Sequence, residues 1–177
     1  MVTRLLDAGW SLEARDNCGS TPLTKAAWYA HLETAKCLLL RGANIDTQDM
    51  LWNTPLHYAS SCGHTSMVKL LLQCGADKKI KNMWRNTAQE YRARYIGTPD
   101  DDETFAVFRE FNEKGLNTKD EFLKQAVREE NYDVAIILMF RGVSLEGSDT
   151  FKQLIQMTKK TRTLDGNFIR NQFPWNK

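Results

Sequence analysis

The feature that most constrains this chain is an internal repeat with a period of 33 residues. The tripeptide Thr21-Pro22-Leu23 recurs as Thr54-Pro55-Leu56. The same offset relates Asp16 to Asp49, Leu38-Leu39 to Leu71-Leu72, and Gly9 to Gly42 and Gly75. A fixed period of this length predicts a row of stacked helical units. Each unit buries its apolar stripe only against its neighbours, so we expect an elongated stack with one long solvent-facing surface.

The copy at residues 53–77 shows how one unit is built. Thr54 caps free backbone amides at a helix start, and Pro55 suits the first helical turn because it needs no amide donor there. Gly75 favours the left-handed conformation that ends a helix. Between these signals, apolar residues recur at helical spacing and predict two short helices with a common buried stripe. That stripe comprises Leu56, Ala59, Val68, Leu71 and Leu72.

Residues 53–77 and 20–44 resemble ankyrin repeats through the Thr-Pro-Leu start, the Gly-His or Ala-His pair, the Leu-Leu pair and the Gly-Ala pair. His57 falls where the resemblance implies a histidine that bonds back to Thr54. The resemblance is closest over residues 16–81, with degenerate copies at 2–15, 82–117 and 118–147. It implies an all-α ankyrin-type helical repeat solenoid with β-turn fingers between the hairpins.

Two irregularities shape the expected domain organisation. In the fourth copy Arg92 stands where the family has a small alanine, and an insertion near 97–104 separates the two helices. The fifth copy matches the copy at residues 20–44 at an offset of 100 but lacks the preceding turn. We therefore expect residues 1–147 to form the stack, with a partial first repeat. Residues 148–177 are expected to supply a capping helix, starting near Phe151, and an aromatic, basic tail. The capping helix is predicted to cover Ile136, Ile137 and Phe140.

Composition is that of an ordinary globular chain. It has 177 residues, of which 42% are hydrophobic and 26% charged. No apolar stretch approaches the length of a membrane span, and the amino terminus lacks the apolar region of a classical secretory signal. The cysteines at 18, 37, 62 and 74 show no paired-ligand spacing, with Cys37 on an inward helix side and the others at surface-type positions. Reduced thiols and a cytoplasmic, or nuclear, setting are expected.

Net charge of +2 hides three blocks. Residues 1–100 carry +3, residues 101–150 carry −6, and residues 151–177 carry +5. The basic tail either folds back on the acidic block or stays loose beside a solvated acidic face. Surface ion pairs contribute only about 0–1 kcal/mol each, so the charge pattern alone favours the loose tail.

Candidate catalytic chemistry is sparse. The resemblance assigns His57 to its capping role and places His31 and His64 at the start of second helices. No phosphate loop or metal-ligand cluster is recognisable, so we expect neither cofactor nor metal. The acidic run at residues 101–103 lacks the interspersed spacing of a calcium loop and predicts a solvated insertion loop. The basic run at 159–162 is too short to indicate a nucleic-acid site and predicts a charged helix end.

Exposed aromatic residues provide the candidate site. In ankyrin-like proteins the finger tips and the inner ends of the first helices form the partner-reading surface. The period assigns ten residues to that surface: Trp28, Tyr29, Met50, Leu51, Trp52, Met83, Trp84, Arg85, Arg94 and Tyr95. Large aromatics, Met and Arg are the residues that interfaces favour. The alternative is that neighbouring fingers pack on one another and hide these rings. Trp52 and Arg85 replace the turn glycine seen as Gly19, which implies strain if the turn stays left-handed.

These observations favour a non-catalytic protein-protein interaction module that acts as an adaptor, scaffold or inhibitor. Its expected partner is another protein, with no small-molecule substrate and no membrane. A microbial or viral effector that binds a host protein is the alternative. A nucleic-acid-associated regulator using the basic tail is favoured less, because the positive charge is modest and interrupted. An enzyme is disfavoured because no nucleophile, base and orienting group can be assembled.

Overall fold

The computed structural model describes residues 9–96, 102–115 and 118–142, without the side chains of residues 95, 96 and 119. Eight α-helices and no β-strand occur within these ranges. In chain order the helices are α1 (Pro22–Trp28), α2 (Leu32–Leu40), α3 (Pro55–Ser61), α4 (Thr65–Gln73), α5 (Ala88–Ile96), α6 (Glu103–Glu113), α7 (Lys119–Arg128) and α8 (Tyr132–Phe140). The fold is all-α, as the repeat pattern predicts.

The first six helices form two rows. Helices α1, α3 and α5 pack side by side, and we call them the first-helix row. Helices α2, α4 and α6 form the second-helix row, in which α2 packs on α1, α4 packs on α3, and α6 packs on α4. This is the stacked arrangement in which each repeat buries its apolar stripe against the next one.

Helix α3 begins as its sequence predicts. The Thr54 side chain and His57 form a reciprocal cap, in which the Thr54 amide donates to His57 Nδ1 at 3.2 Å. Because Nδ1 accepts, Nε2 carries the proton, and it donates to the backbone oxygen of Asn86 at 3.0 Å. Burial lowers the pKa of His57. The histidine therefore caps one helix and ties it to the next repeat, as the resemblance implies for the capping bond.

The core consists of the leucine pairs and small residues of the repeats. Leu38, Leu39, Leu71 and Leu72 are all buried between the helices. Ala59 is also buried, and its small side chain lets α3 approach its neighbours closely. Residues 42 and 75, both glycine, end α2 and α4 with φ of +91° and +84°. The left-handed conformation at these positions explains why glycine recurs there.

Arg92 shows how the irregular fourth repeat is held. Its guanidinium donates to the Ser61 backbone oxygen at 2.9 Å and pairs with the Asp102 carboxylate at 2.6 Å. Asp102 in turn caps α6 by accepting from the Thr104 amide at 2.8 Å. The arginine that replaces the family alanine thus fastens the start of α6 to α3.

The acidic run at residues 101–103 differs from its prediction. The sequence predicts that it belongs to a solvated insertion loop, but α6 begins at Glu103 and the Asp102 side chain is only 11% exposed. The reason is that Asp102 serves as both helix cap and arginine partner. Residues 97–101 lie outside the described part of the chain.

The final hairpin keeps the shape of a repeat. Asn131 donates its amide to Ala126 O at 2.8 Å, as His31 does to Ala26 O at 2.9 Å. Glu130 adopts a positive φ of 54°, close to the 56° of the corresponding Ala30. The offset of 100 residues therefore reflects a real similarity of local structure between α7–α8 and α1–α2.

The position of this hairpin differs from that of a fifth repeat added to the row. Helix α8 packs against α2, near the amino-terminal end of the described stack. Lys36 on α2 pairs with Asp133 on α8 at 2.9 Å, and Arg141 donates to Ala43 O at 2.8 Å. Five consecutive residues of α8, 134–138, are buried. A helix that is apolar on every side requires neighbours on more than one side, and α7 and α2 both pack against it.

Burial by this hairpin also changes the environment of Cys74. The sequence placed Cys74 at a surface-type position, but its side chain is buried. Burial raises the pKa of the Cys74 thiol to about 12, although the nearby charges of Arg141 and Lys36 oppose that rise. Cys18 and Cys62 are exposed and Cys37 is half-buried. The expected surface position of Cys74 is therefore wrong, because α8 and Arg141 lie beside α2 and α4.

Several sequence predictions concern residues outside the described ranges. They are residues 2–8 of the partial first repeat, the domain boundary at residue 147, the capping helix that starts near Phe151, and the aromatic, basic tail. In the part of the chain that the structure describes, no helix is long and apolar enough to cross a membrane.

Candidate functional site

Seven of the predicted site residues are large apolar side chains in contact with solvent. Their exposed fractions lie between 40% and 68%. We call this set the finger surface: Trp28, Tyr29, Met50, Leu51, Trp52, Met83 and Trp84. Arg85 and Arg94 are exposed as well, on the third finger and on α5. Tyr95 lies in α5, but its side chain is outside the described atoms.

Each finger is a tight turn built around one polar side chain at its base. Asp49 Oδ1 accepts from the amides of Leu51 and Asn53, both at 2.9 Å. Asp16 and Asn82 make the equivalent bonds at residues 16–20 and 82–86. Side chains of this type favour turns because they replace backbone bonds locally. The recurrence of Asp16 and Asp49 at the repeat period therefore has a structural cause.

Neighbouring fingers are joined through their backbones. The Met50 amide donates to Cys18 O at 3.1 Å, and the Met83 amide donates to Leu51 O at 3.0 Å. The fingers thus form a continuous ribbon along one side of the stack. Their contact does not bury the aromatic rings, since Trp52 is 60% exposed and Trp84 is 43% exposed. The alternative in which packed finger tips hide these rings does not hold.

The second and third fingers contain strained residues. Trp52 and Arg85 both have a φ of +61°, at the position where Gly19 has +76°. Non-glycine residues rarely adopt this conformation because the Cβ atom crowds the backbone. The strain predicted from the sequence is therefore present at two adjacent exposed fingers. Such strain is concentrated at functional sites in proteins.

Trp28 is held by stacked rings and a cation. Its ring lies 4.7 Å from the ring of Tyr58 and 6.0 Å from that of Tyr29, both nearly parallel. Lys25 Nζ sits 5.4 Å from the Trp28 ring and also pairs with Asp16 at 2.7 Å. The carboxylate of Asp16 raises the pKa of Lys25, so the lysine stays charged. These contacts fix the orientation of the indole while leaving part of it in solvent.

A second stack fixes Trp84. Its ring lies 5.8 Å from the ring of Tyr91 with an angle of 10° between the planes. Tyr91 in turn meets His57 edge-on at 6.2 Å. The finger surface is therefore connected to the cap of α3 through a chain of ring contacts. Its third finger is therefore in contact with the first-helix row through Trp84 and Tyr91.

Tyr58 joins the two parts of the surface. Its hydroxyl donates to Asp49 Oδ2, at the base of the second finger, while its ring stacks on Trp28. Burial raises the pKa of Tyr58, and the neighbouring Asp49 carboxylate raises it further. The hydroxyl therefore keeps its proton and remains a hydrogen-bond donor. The sequence prediction did not include Tyr58 or Tyr91. The repeat period contains the missing signal, because Lys25, Tyr58 and Tyr91 are spaced 33 residues apart.

The histidines have structural roles in the described structure. His31 and His64 begin α2 and α4, as the resemblance implies. His64 Nε2 lies 2.9 Å from Trp28 O and so joins the start of α4 to the end of α1. Within residues 9–96, 102–115 and 118–142, no cluster of three metal-ligating side chains occurs. The arrangement is suited to contact with another macromolecule through rigid, exposed rings.

Comparison with known proteins agrees with the geometry. Residues 1–82 match the ankyrin repeat family, in three copies. No curated protein shows significant similarity to the chain. Ankyrin repeats are generally protein-protein interaction modules and are typically non-catalytic. The 33-residue period, the stacked hairpins, the turn fingers and the family match lead to one identification: residues 1–82 of the chain are a run of ankyrin repeats.

Proposed function

We propose that the chain acts as an adaptor, scaffold or inhibitor that binds another protein through the finger surface. The observation that carries this proposal is the grouping of seven exposed large apolar side chains on adjacent fingers and at the end of α1. A contiguous apolar patch on a folded domain usually marks a contact site. Buried aromatic anchors also account for most of the binding energy of typical interfaces.

The rigidity of the surface supports the same proposal. Trp28 and Trp84 each stack on a tyrosine that belongs to the first-helix row. The finger backbones are joined by hydrogen bonds from one repeat to the next. Side chains that are already held in place lose less conformational entropy when a partner binds. The finger surface therefore needs little reordering to serve as an interface.

The opposite side of the stack also supports the proposal, because helices of the same chain already cover it. Helices α7 and α8 lie against the second-helix row, where Lys36, Gln73 and Ala43 all accept or donate bonds to them. That side already has an occupant from the same chain. The fingers and the inner ends of the first helices remain as the exposed apolar face within the described residues.

The test is a pull-down with three forms of the full chain. One is wild type, one carries Met50→Ala, Trp52→Ala and Trp84→Ala, and one carries Trp10→Ala. Trp10 is a matched control because it is 65% exposed but lies outside the finger surface. We expect the wild type and the Trp10 variant to capture the same protein from cell extract. The triple variant should lose that protein while keeping its helical circular dichroism and melting temperature.

Two results would oppose the proposal. Capture of the same protein by the triple variant at wild-type level would remove the finger surface from binding. A parallel loss of capture and of helical structure would show that these side chains support the fold. In that case Trp52→Ala alone would be decisive, because Trp52 is not part of either ring stack.

A further inference from the structure

The charge around the finger surface is one-sided. Residues 14–29, 47–62 and 80–96 contain the fingers and the first-helix row. They carry six basic and three acidic side chains, a net charge of +3. The three acidic residues are Asp16, Asp49 and Glu90. Asp102, outside these segments, neutralises Arg92, which leaves an excess of two positive charges for a partner that meets this face.

All three acidic residues are engaged within the chain. Asp16 pairs with Lys25 and accepts from two turn amides. Asp49 accepts from two turn amides and from the Tyr58 hydroxyl. Glu90 accepts from the Thr87 amide at 2.7 Å and so caps the start of α5. Each carboxylate has a structural role, which leaves little negative charge to offer a partner.

The basic side chains of these segments differ in whether a carboxylate neutralises them. Lys25 and Arg92 are neutralised by Asp16 and Asp102. Arg85, beside Trp84 on the third finger, and Arg94, on α5, are exposed and form no ion pair with any carboxylate of the described residues. Arg85 also holds its strained φ of +61°. One exposed arginine thus lies on the third finger beside Trp84, and a second lies on α5, the helix that follows this finger.

We propose that the partner presents an acidic segment, in which apolar anchors lie beside Asp or Glu residues, to the finger surface. This proposal rests on the function proposed above. Apolar anchors fit Met50, Leu51 and Met83, whose flexible or aliphatic side chains suit protein side chains. Carboxylates fit Arg85 and Arg94, because arginine pairs with carboxylates through two parallel hydrogen bonds. Complementary charge of this kind selects partners and accelerates their association.

A protein segment fits this surface better than single-stranded nucleic acid does. Nucleic acid binding uses open aromatic faces on which successive bases stack, together with a continuous cationic groove. Here Trp28 and Trp84 each already have a tyrosine stacked on one face. The finger surface also contains Met50, Leu51 and Met83, which offer no ring for a base to stack on, and few unpaired cations accompany it. Nucleic acid remains an outcome that the experiment distinguishes.

The experiment selects twelve-residue peptides from a random display library on the full chain. The same selection uses Arg85→Glu with Arg94→Glu, Trp84→Ala, and the control Trp10→Ala. We expect peptides from the wild-type and Trp10 selections to be enriched in both apolar and acidic residues. The double arginine variant should bind those peptides about tenfold more weakly at low salt, since each reversed surface charge removes an attraction and adds a repulsion. The difference should shrink in 0.5 M salt.

The outcomes separate this proposal from the function on which it rests. Peptides enriched in apolar but not acidic residues, and lost with Trp84→Ala, would overturn the acidic partner and keep the finger surface. Peptides that bind the Trp84 variant as well as wild type would count against the finger surface itself. Displacement of the selected peptides by a twelve-nucleotide oligo(dT) would overturn the choice of a protein segment. Tm and circular dichroism of each variant confirm that the fold is kept.

Discussion

The hairpins α3–α4 and α7–α8 have similar local structure but different places in the molecule. Both contain two short helices joined by a turn with a positive φ, at Gly63 and Glu130 respectively. Helix α3 packs between α1 and α5, whereas α8 packs on α2 at the back of the stack. Local sequence is therefore enough to form a hairpin, and something further decides whether the hairpin joins the row.

The connection that precedes each hairpin makes the difference. Fourteen residues, 41–54, separate α2 from α3 and form a finger. Only five residues, 114–118, separate α6 from α7. The finger of one repeat bonds to the finger of the next, as Met50 does to Cys18 O, and so sets the spacing of the row. A hairpin without a finger lacks this register and packs where its apolar faces are best covered.

The two regions also differ in how they are held. The stack is joined by buried leucines and alanines, with polar bonds concentrated in the fingers and caps. The hairpin adds polar contacts to the second-helix row, including Lys36 with Asp133 and Asn131 with Gln73 at 3.2 Å. A mixed interface of this kind resembles a docking surface more than a repeat interface, so its loss should leave the stack intact.

The largest effect is expected inside the stack. Leu71→Ala removes a fully buried side chain between α4 and its neighbours. It should lower the free energy of unfolding by about 2–5 kcal/mol, because burial is lost and a cavity remains. Leu51→Ala is the control, since Leu51 is 41% exposed on a finger and should change stability by about 0.5 kcal/mol or less. Urea unfolding measures both, and equal effects would contradict the core assigned to the stack.

A smaller and more local effect is expected at the hairpin. Asp133→Ala removes the less exposed of the two carboxylates that pair with Lys36. The Lys36 side chain is 17% exposed and the Asp133 side chain is 19% exposed. Loss of one partner from a largely buried pair should cost about 1–3 kcal/mol after allowance for this exposure. Hydrogen exchange should accelerate in residues 119–140 and stay unchanged in residues 55–73.

Lys36 also provides the matched control for that variant. Its second partner, Glu33, is 71% exposed, so Glu33→Gln should cost less than about 1 kcal/mol. If Asp133→Ala instead loosened both regions equally, the hairpin and the stack would be one cooperative unit. The distinction drawn between them would then be wrong.

Lowering the pH should destabilise the stack more than the hairpin α7–α8. Burial lowers the pKa of His57 below its unfolded value of 6.5. The unfolded chain then binds a proton first as the pH falls, so the stability that His57 supplies is complete above pH 6.5 and declines below it. Residues 118–142 contain no histidine, so local opening of the hairpin should change little between pH 7 and 6. Hydrogen exchange at the two pH values tests this, and a pH-independent α3 would oppose it.

The smallest effect concerns the strained fingers. Trp52→Gly should be more stable than Trp52→Ala by about 1 kcal/mol, because glycine relieves the positive φ that alanine keeps. Both variants should weaken partner binding, since both remove the indole. Thermal unfolding compares them. An alanine variant as stable as the glycine variant would show that the turn had relaxed to another conformation.

The sequence predicted much of the stack because its signals are local and recur with the period. Thr54, Pro55 and Gly75 mark helix ends, and the leucine pairs mark the core, so each copy supports the other. The finger surface followed from the same alignment of copies. Tyr58 and Tyr91 were not predicted because they are half-buried behind the exposed tips, although their spacing of 33 residues is present in the sequence.

The hairpin position was not predicted because it depends on contacts between distant residues. Lys36 and Asp133 are 97 positions apart, and no local pattern links them. One signal was available: residues 134–140 are apolar without a polar face, which indicates a helix covered on all sides. The burial of Cys74 and the role of Asp102 depend on the same kind of distant contact, with α8 and with Arg92.

The most direct test of this account is the hydrogen-exchange footprint of a bound partner on the full chain. The probe is the tightest peptide recovered in the selection, or the protein captured in the pull-down. Binding should slow exchange at the fingers, residues 49–53 and 82–86, and leave residues 119–140 unchanged. Protection confined to the hairpin or to the second-helix row would contradict the account and place the binding face on the other side of the stack.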